Sequence, residues 1–159
     1  MLENCRNARE RWGGVSDLID RWLKERQDLL VQYCELSGVT DFSQPAAVKA
    51  RLTSMCQVLM DYVSAGHFEV YEQLISEARE FDDGGLELAA KLYPRIEDTT
   101  GVALAFNDQL DKTGDSEADV RGLFEQLSGL GEALETRFEL EDMLIEKLHN
   151  VHADQVAEA

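Results

Sequence analysis

A chain of 159 residues carrying 32 acidic against 15 basic side chains has a formal net charge of −17, which repels nucleic-acid phosphates and anionic membranes and favours basic partners. The length suffices for one domain, residues 1–159, with a substantial core. No apolar run reaches membrane-spanning length, and Met1-Leu2-Glu3-Asn4-Cys5-Arg6 has no leader-like apolar stretch.

Apolar residues recur at helical spacing almost throughout, and no segment alternates with a period of two. A short first helix is expected from Leu2 to Trp12, ended by Gly13-Gly14. A second runs from Ser16, a suitable N-cap, to Ser37 before Gly38, with Val15, Leu18, Ile19, Trp22, Leu23, Leu29, Leu30 and Tyr33 on its inward stripe. After a loop at 38–44, Pro45 opens a third helix, where its missing N–H costs little. That helix carries Val48, Leu52, Met55, Cys56, Leu59, Tyr62 and Val63 inward and stops at Gly66. A fourth follows through Phe68, Tyr71, Leu74 and Ala78 to the Asp82-Asp83-Gly84-Gly85 turn. The fifth spans Leu86 to Lys112, and Pro94 should kink or break it. A last helix runs from Glu117 to His149, and the tail over 153–159 should fray. The reading is all-α: an antiparallel up-and-down bundle of about five to six helices.

The acidity is uneven. Residues 1–66 hold 8 Lys+Arg and 9 Asp+Glu, whereas residues 67–159 hold 7 and 23. Three cysteines without paired spacing fit a reducing cytoplasm, with Cys34 and Cys56 expected as small buried thiols on apolar faces.

Two charged residues interrupt apolar stripes. Arg26 lies between Leu23 and Leu30, and Glu141 between Phe138 and Ile145. A half-buried guanidinium needs a carboxylate, so the two are candidate partners, either as a register-fixing ion pair or as a polar pocket. Asp61 lies off its stripe, and no Lys or Arg stands three or four positions away. Tyr62, Phe68 and Tyr71 around it suggest the aromatic anchors of an interface. His67 admits a structural role at the junction, a place in a binding surface, or phosphoryl acceptance in a phosphotransfer or ligand-sensing bundle. Glu146-x-x-His149 has one half of a di-iron pattern, and a single copy does not make a metal centre. No phosphate-binding glycine loop, zinc spacing or catalytic triad pattern is present, so no enzyme, cofactor, metal or catalytic residue is expected.

Three segments carry a resemblance. They are Asp61-Tyr62-Val63-Ser64-Ala65-Gly66-His67-Phe68 with Tyr71 and Glu72; Asp20-Arg21-Trp22-Leu23 with Arg26, Leu29, Leu30 and Tyr33; and Gly131-Glu132-Ala133-Leu134-Glu135-Thr136-Arg137-Phe138 with Leu140, Glu141, Asp142 and Leu144. In this order they resemble the Rsd/AlgQ family, bacterial anti-sigma factors that bind the primary sigma factor of RNA polymerase. Residues 5–8 and 10–15 look closer to the AlgQ branch, named for alginate regulation. The resemblance implies transcription regulation in the cytoplasm by covering the sigma factor's C-terminal helix-turn-helix region, which reads the promoter's −35 element. Binding there would occlude both promoter DNA and core polymerase, with no direct contact to nucleic acid or membrane, and it leaves room for other cytoplasmic regulators as partners. Asp61, Tyr62, Ser64, His67, Phe68, Tyr71 and Glu72 are the partner-binding candidates, with Asp61 expected to meet an arginine.

Overall fold

The three- and four-residue spacing of apolar side chains builds helices over residues 8–158, which the computed structural model describes; no strand occurs among them. Four long rods result: α1 (Ala8–Ser37); α2 (Pro45–Ala65) continued by a π turn (Gly66–Val70) into α3 (Tyr71–Phe81); α4 (Gly85–Lys112); and α5 (Glu117–Phe124) with α6 (Leu127–Leu148). A 3-10 turn (Asn150–His152) and α7 (Ala153–Glu158) close the chain.

Side-chain pairings fix the direction of each rod. Trp22 stacks on Tyr62 while Gln32, further along α1, accepts from Ser54, so α1 and α2 are antiparallel. Arg26 meets Asp142 while Tyr33 donates to the Leu127 carbonyl, so α1 and α6 are antiparallel too. A Cβ on Gly85 would meet Leu148, and Thr99 meets Arg137, which sets α4 against α6 in the same sense. The shared core runs between the rods through Trp22, Leu29, Leu52, Leu59, Leu74, Ile96, Leu130 and Leu148.

Several expected boundaries move. The first two predicted helices are one: α1 passes through Gly13 and Gly14 without a break, and the expected part at 2–7 lies outside the described residues. Two glycines cost roughly 1 kcal/mol each in a helix. Burial of Val15 and stacking of Trp12 on His149, at 4.3 Å between centroids, hold both sides of the pair in place. α4 likewise runs through Pro94. Pro94 and Ala90, whose carbonyl it cannot bond, both lie on the exposed side of α4, so the missing bond falls away from the packed core.

The expected last helix divides at Glu125-Gln126, where the Gln126 N–H turns back to the Leu123 carbonyl. The division lets α5 lean over the 38–44 loop, with Phe124 edge-on to Phe42 and Arg121 above the same ring. Beyond α6, residues 153–158 form a helix whose Val156 is buried. Two buried histidines tie this end down: His149 Nδ1 lies 2.8 Å from Glu77, and His152 Nε2 lies 2.6 Å from Asp83. Cys56 is buried as expected, but Cys34 and Leu30, both expected inward, are exposed, because they sit on the flank of α1 beyond the core-facing arc.

Candidate functional site

The expected stop at Gly66 is a change of winding instead. The Tyr71 N–H bonds to the Gly66 carbonyl five residues back, so one extra residue enters the turn and the rod continues. Such π turns recur at functional sites. Here the extra residue redistributes the aromatics: Phe68 swings outward to 74% exposure while Val70 and Tyr71 turn inward. Gly66 is required for closeness. A Cβ there would lie 3.1 Å from the Trp22 ring and 3.2 Å from that of Tyr71.

Beneath the turn lies a buried polar cluster joining every long rod. Glu141 on α6 is its centre. Its Oε1 accepts from Tyr62 Oη at 2.5 Å and from Arg26 Nη2 at 3.2 Å. Its Oε2 accepts from Arg137 Nε at 3.2 Å and from the Tyr71 hydroxyl. Arg26 also donates from Nε to Tyr62 Oη and from Nη1 to Asp142, and its guanidinium lies 4.7 Å from the centre of the Phe138 ring. Arg137 has its remaining donors satisfied by Thr99, Thr100, the Ile96 carbonyl and Tyr71 Oη. Trp22 Nε1 caps the Tyr62 carbonyl at 3.0 Å.

Electrostatics follow from this geometry. Burial pushes the Glu141 carboxyl above its usual range, while Arg137, the two tyrosine hydroxyls and Arg26 pull it back. Two guanidiniums and two O–H donors around one carboxylate suit the anion. Burial, reinforced by the nearby Glu141 charge, raises both Tyr62 and Tyr71, so each stays a neutral donor. For Arg26, burial works against the cation, but Tyr62, Asp142 and Glu141 together hold it charged.

His67 borders this cluster. Its Nδ1 lies 3.2 Å from Tyr93 Oη and its Nε2 2.8 Å from Thr100 Oγ1, which also accepts from Arg137. Burial and then the Arg137 charge lower its pKa. Both ring nitrogens are engaged and the ring is half-buried, so the phosphoryl-acceptor reading of His67 falls away: no free nitrogen faces solvent.

The other site residues divide between inside and outside. Tyr62 and Tyr71 lie in the core and show no surface to a partner in this conformation. Asp61, Ser64, Phe68 and Glu72 are exposed. Around Asp61 the fold adds carboxylates from two elements. Glu25 of α1 is pushed up by partial burial and then by the charges of Asp61, Glu69 and Asp28. Asp61 itself makes no ion pair or hydrogen bond among the described residues. Four carboxylates and a protruding phenyl ring thus share one face of α1, α2 and the π turn.

Sequence reasoning had named Arg137 only within the third resemblance segment, with no role, and had not singled out Thr99, Thr100, Tyr93, Glu25, Asp28 or Glu69 as site residues. Only Arg137 carried a readable signal, since it falls in the 130, 134, 137, 141, 144 series of inward positions on α6. The others become neighbours through rod packing alone. Among the described residues, no helix is long and apolar enough to cross a membrane, and no three metal-ligating side chains converge.

Residues 1–149 match the family described as "Regulator of RNA polymerase sigma(70) subunit, Rsd/AlgQ". A protein named Regulator of sigma D from Yersinia pseudotuberculosis is 34% identical over 163 residues, covering 100% of this chain and 96% of the relative. Proteins of the same name from Yersinia enterocolitica and Salmonella arizonae are 35% and 39% identical, covering 92% and 91% of this chain and 89% and 90% of the relatives.

Proposed function

Because the chain belongs to the Rsd/AlgQ family of regulators of the RNA polymerase sigma(70) subunit, we propose that it binds the primary sigma factor through the acidic face around Asp61. The element bound is the basic helix-turn-helix of the factor's C-terminal, −35-reading region, whose recognition helix otherwise enters the DNA major groove. The observation that carries this reading is the unpaired, exposed Asp61 among Glu25, Asp28 and Glu69, beside an exposed Phe68. Carboxylates at that density attract arginines that would otherwise contact phosphate, and the phenyl ring supplies an apolar anchor. The protein acts by occlusion, in the cytoplasm, without covalent chemistry: sigma held here meets neither promoter nor core polymerase.

Calorimetric titration against the isolated C-terminal region, with Asp61→Ala alongside and at two salt concentrations, tests the reading. Binding that weakens with salt and with the substitution supports it. Binding indifferent to Asp61 moves the site elsewhere, and absence of binding overturns the partner.

A further inference from the structure

The acidic face is too small to be the whole interface. A stable one-to-one complex buries on the order of 1,600 Å² and engages roughly 20–30 residues a side, whereas Glu25, Asp28, Asp61, Ser64, Phe68 and Glu69 are few. The question is where the contact continues, and α1 supplies the answer. Glu25 and Asp28 lie on the flank of α1 turned to α2, and Val31, one turn beyond Asp28, stands on its crest at 49% exposure.

Past the crest, the opposite flank holds a shallow hollow of about 660 Å³ lined by Leu23, Gln27, Leu30, Val31, Cys34 and Glu35 beside Arg26. Leu23, Gln27, Leu30 and Cys34 follow one another at intervals of four, three and four. That is the spacing of a coiled-coil seam, here without a partner helix. The seam runs along the edge of the core-facing arc: Leu23 packs in part against the core, while Leu30 remains 40% exposed and Gln27 and Cys34 are exposed as well. Leu30 and Val31 of α1 and Phe68 of the π turn packed beside it are among the exposed large hydrophobics of the described residues, so the crest of α1 separates two halves of one mixed acidic and apolar surface. The hollow's rim is acidic as well: Glu35 lies at one end, and Asp142 of α6, largely exposed, reaches Arg26 at the other.

We propose that the C-terminal domain of the sigma factor straddles α1, with one amphipathic helix seated in the hollow over Leu23, Leu30, Val31 and Cys34. Its apolar anchors, at i, i+3 or i+4, and i+7, pack on the seam, and its basic flank faces Glu35 and Asp142. The assignment rests on the sigma-binding reading above and extends it to a second contact reached without leaving α1.

Cys34 makes the hollow directly readable. In a full-length Cys5→Ser chain, iodoacetamide should alkylate Cys34 readily. Cys56, buried and with its thiol pushed up to about 12, serves as the inert internal control. Saturation with the isolated C-terminal region should slow Cys34 alkylation at least tenfold. The charge-neutral double variant Leu30→Gln/Val31→Gln should weaken binding about tenfold with an unchanged melting temperature. Asp61→Ala, titrated in parallel, reads the first surface separately. Unaltered Cys34 alkylation in the complex, or wild-type affinity of the double variant, overturns the straddling contact even while sensitivity to Asp61 persists. Absence of any binding overturns both readings together.

Discussion

Arg137 and Glu141 stand one turn apart on α6, 3.2 Å from Nε to Oε2, and neither side chain reaches solvent. An i,i+4 pair on a helix surface contributes only a few tenths of a kcal/mol. Buried, the same pair stays charged only if every remaining donor and acceptor is met, and here the partners come from four other elements. Arg26 of α1, Tyr62 of α2, Tyr71 of α3 and the Thr99–Thr100 turn of α4 complete the set. The pair therefore fixes the register of the rods against one another.

Removing one member leaves the other as an uncompensated buried charge. Glu141→Leu and Arg137→Met should each lower unfolding stability by about 3–5 kcal/mol. The double variant, which removes both charges, should cost less than the sum. Urea titration of the three variants measures the coupling directly.

Gly66 and Gly101 give opposite expectations for the same change. Gly66→Ala pushes a methyl against Trp22 and Tyr71, and it should destabilise by about 1–3 kcal/mol. At Gly101, within α4, nothing lies within 4 Å of an added Cβ. Gly101→Ala should stabilise by up to about 1 kcal/mol through helix propensity. Thermal denaturation of both variants compares close approach with plain propensity.

His67 should impose a pH dependence of defined sign. Its folded pKa lies below 6.5, lowered by burial and by Arg137, so between that value and 6.5 the unfolded chain binds more protons. The stability this group contributes is complete above pH 6.5 and is lost as pH falls through 6.5 toward the folded value. His67→Gln should flatten that part of the wild-type curve. Chemical denaturation at half-unit steps below pH 6.5, read as the difference between the two proteins, isolates the contribution of His67.

Phe68 should matter for binding and not for folding. It is 74% exposed, so Phe68→Ala should leave stability within about 0.5 kcal/mol. If the ring is an interface anchor, the same variant should lose about 1–2 kcal/mol of affinity for the sigma C-terminal region. Calorimetry beside a melting curve separates the two effects.

Much of this could be read before folding. Apolar spacing determined the helical class and the inward stripes, and it placed Arg26 and Glu141 where charges need partners. The motif from Asp61 to Phe68 marked a segment unlike an ordinary helix junction. Other features were illegible because they depend on distances between rods. Gly13-Gly14, Gly66 and Pro94 all look like breaks in one dimension, yet packing on His149, the fit of Trp22 and Tyr71, and the position of Pro94 and Ala90 on the exposed side of α4 carry the helices through them. Tyr62 and Tyr71 share a motif with Phe68, but one extra residue in the π turn sends them inward and Phe68 outward. The sequence by itself determined which residues are helical, apolar or charged, since those properties are local. Only the tertiary structure decided which charges are paired and which remain free, because that rests on residues 115 positions apart, such as Arg26 and Glu141, meeting in a dry interior.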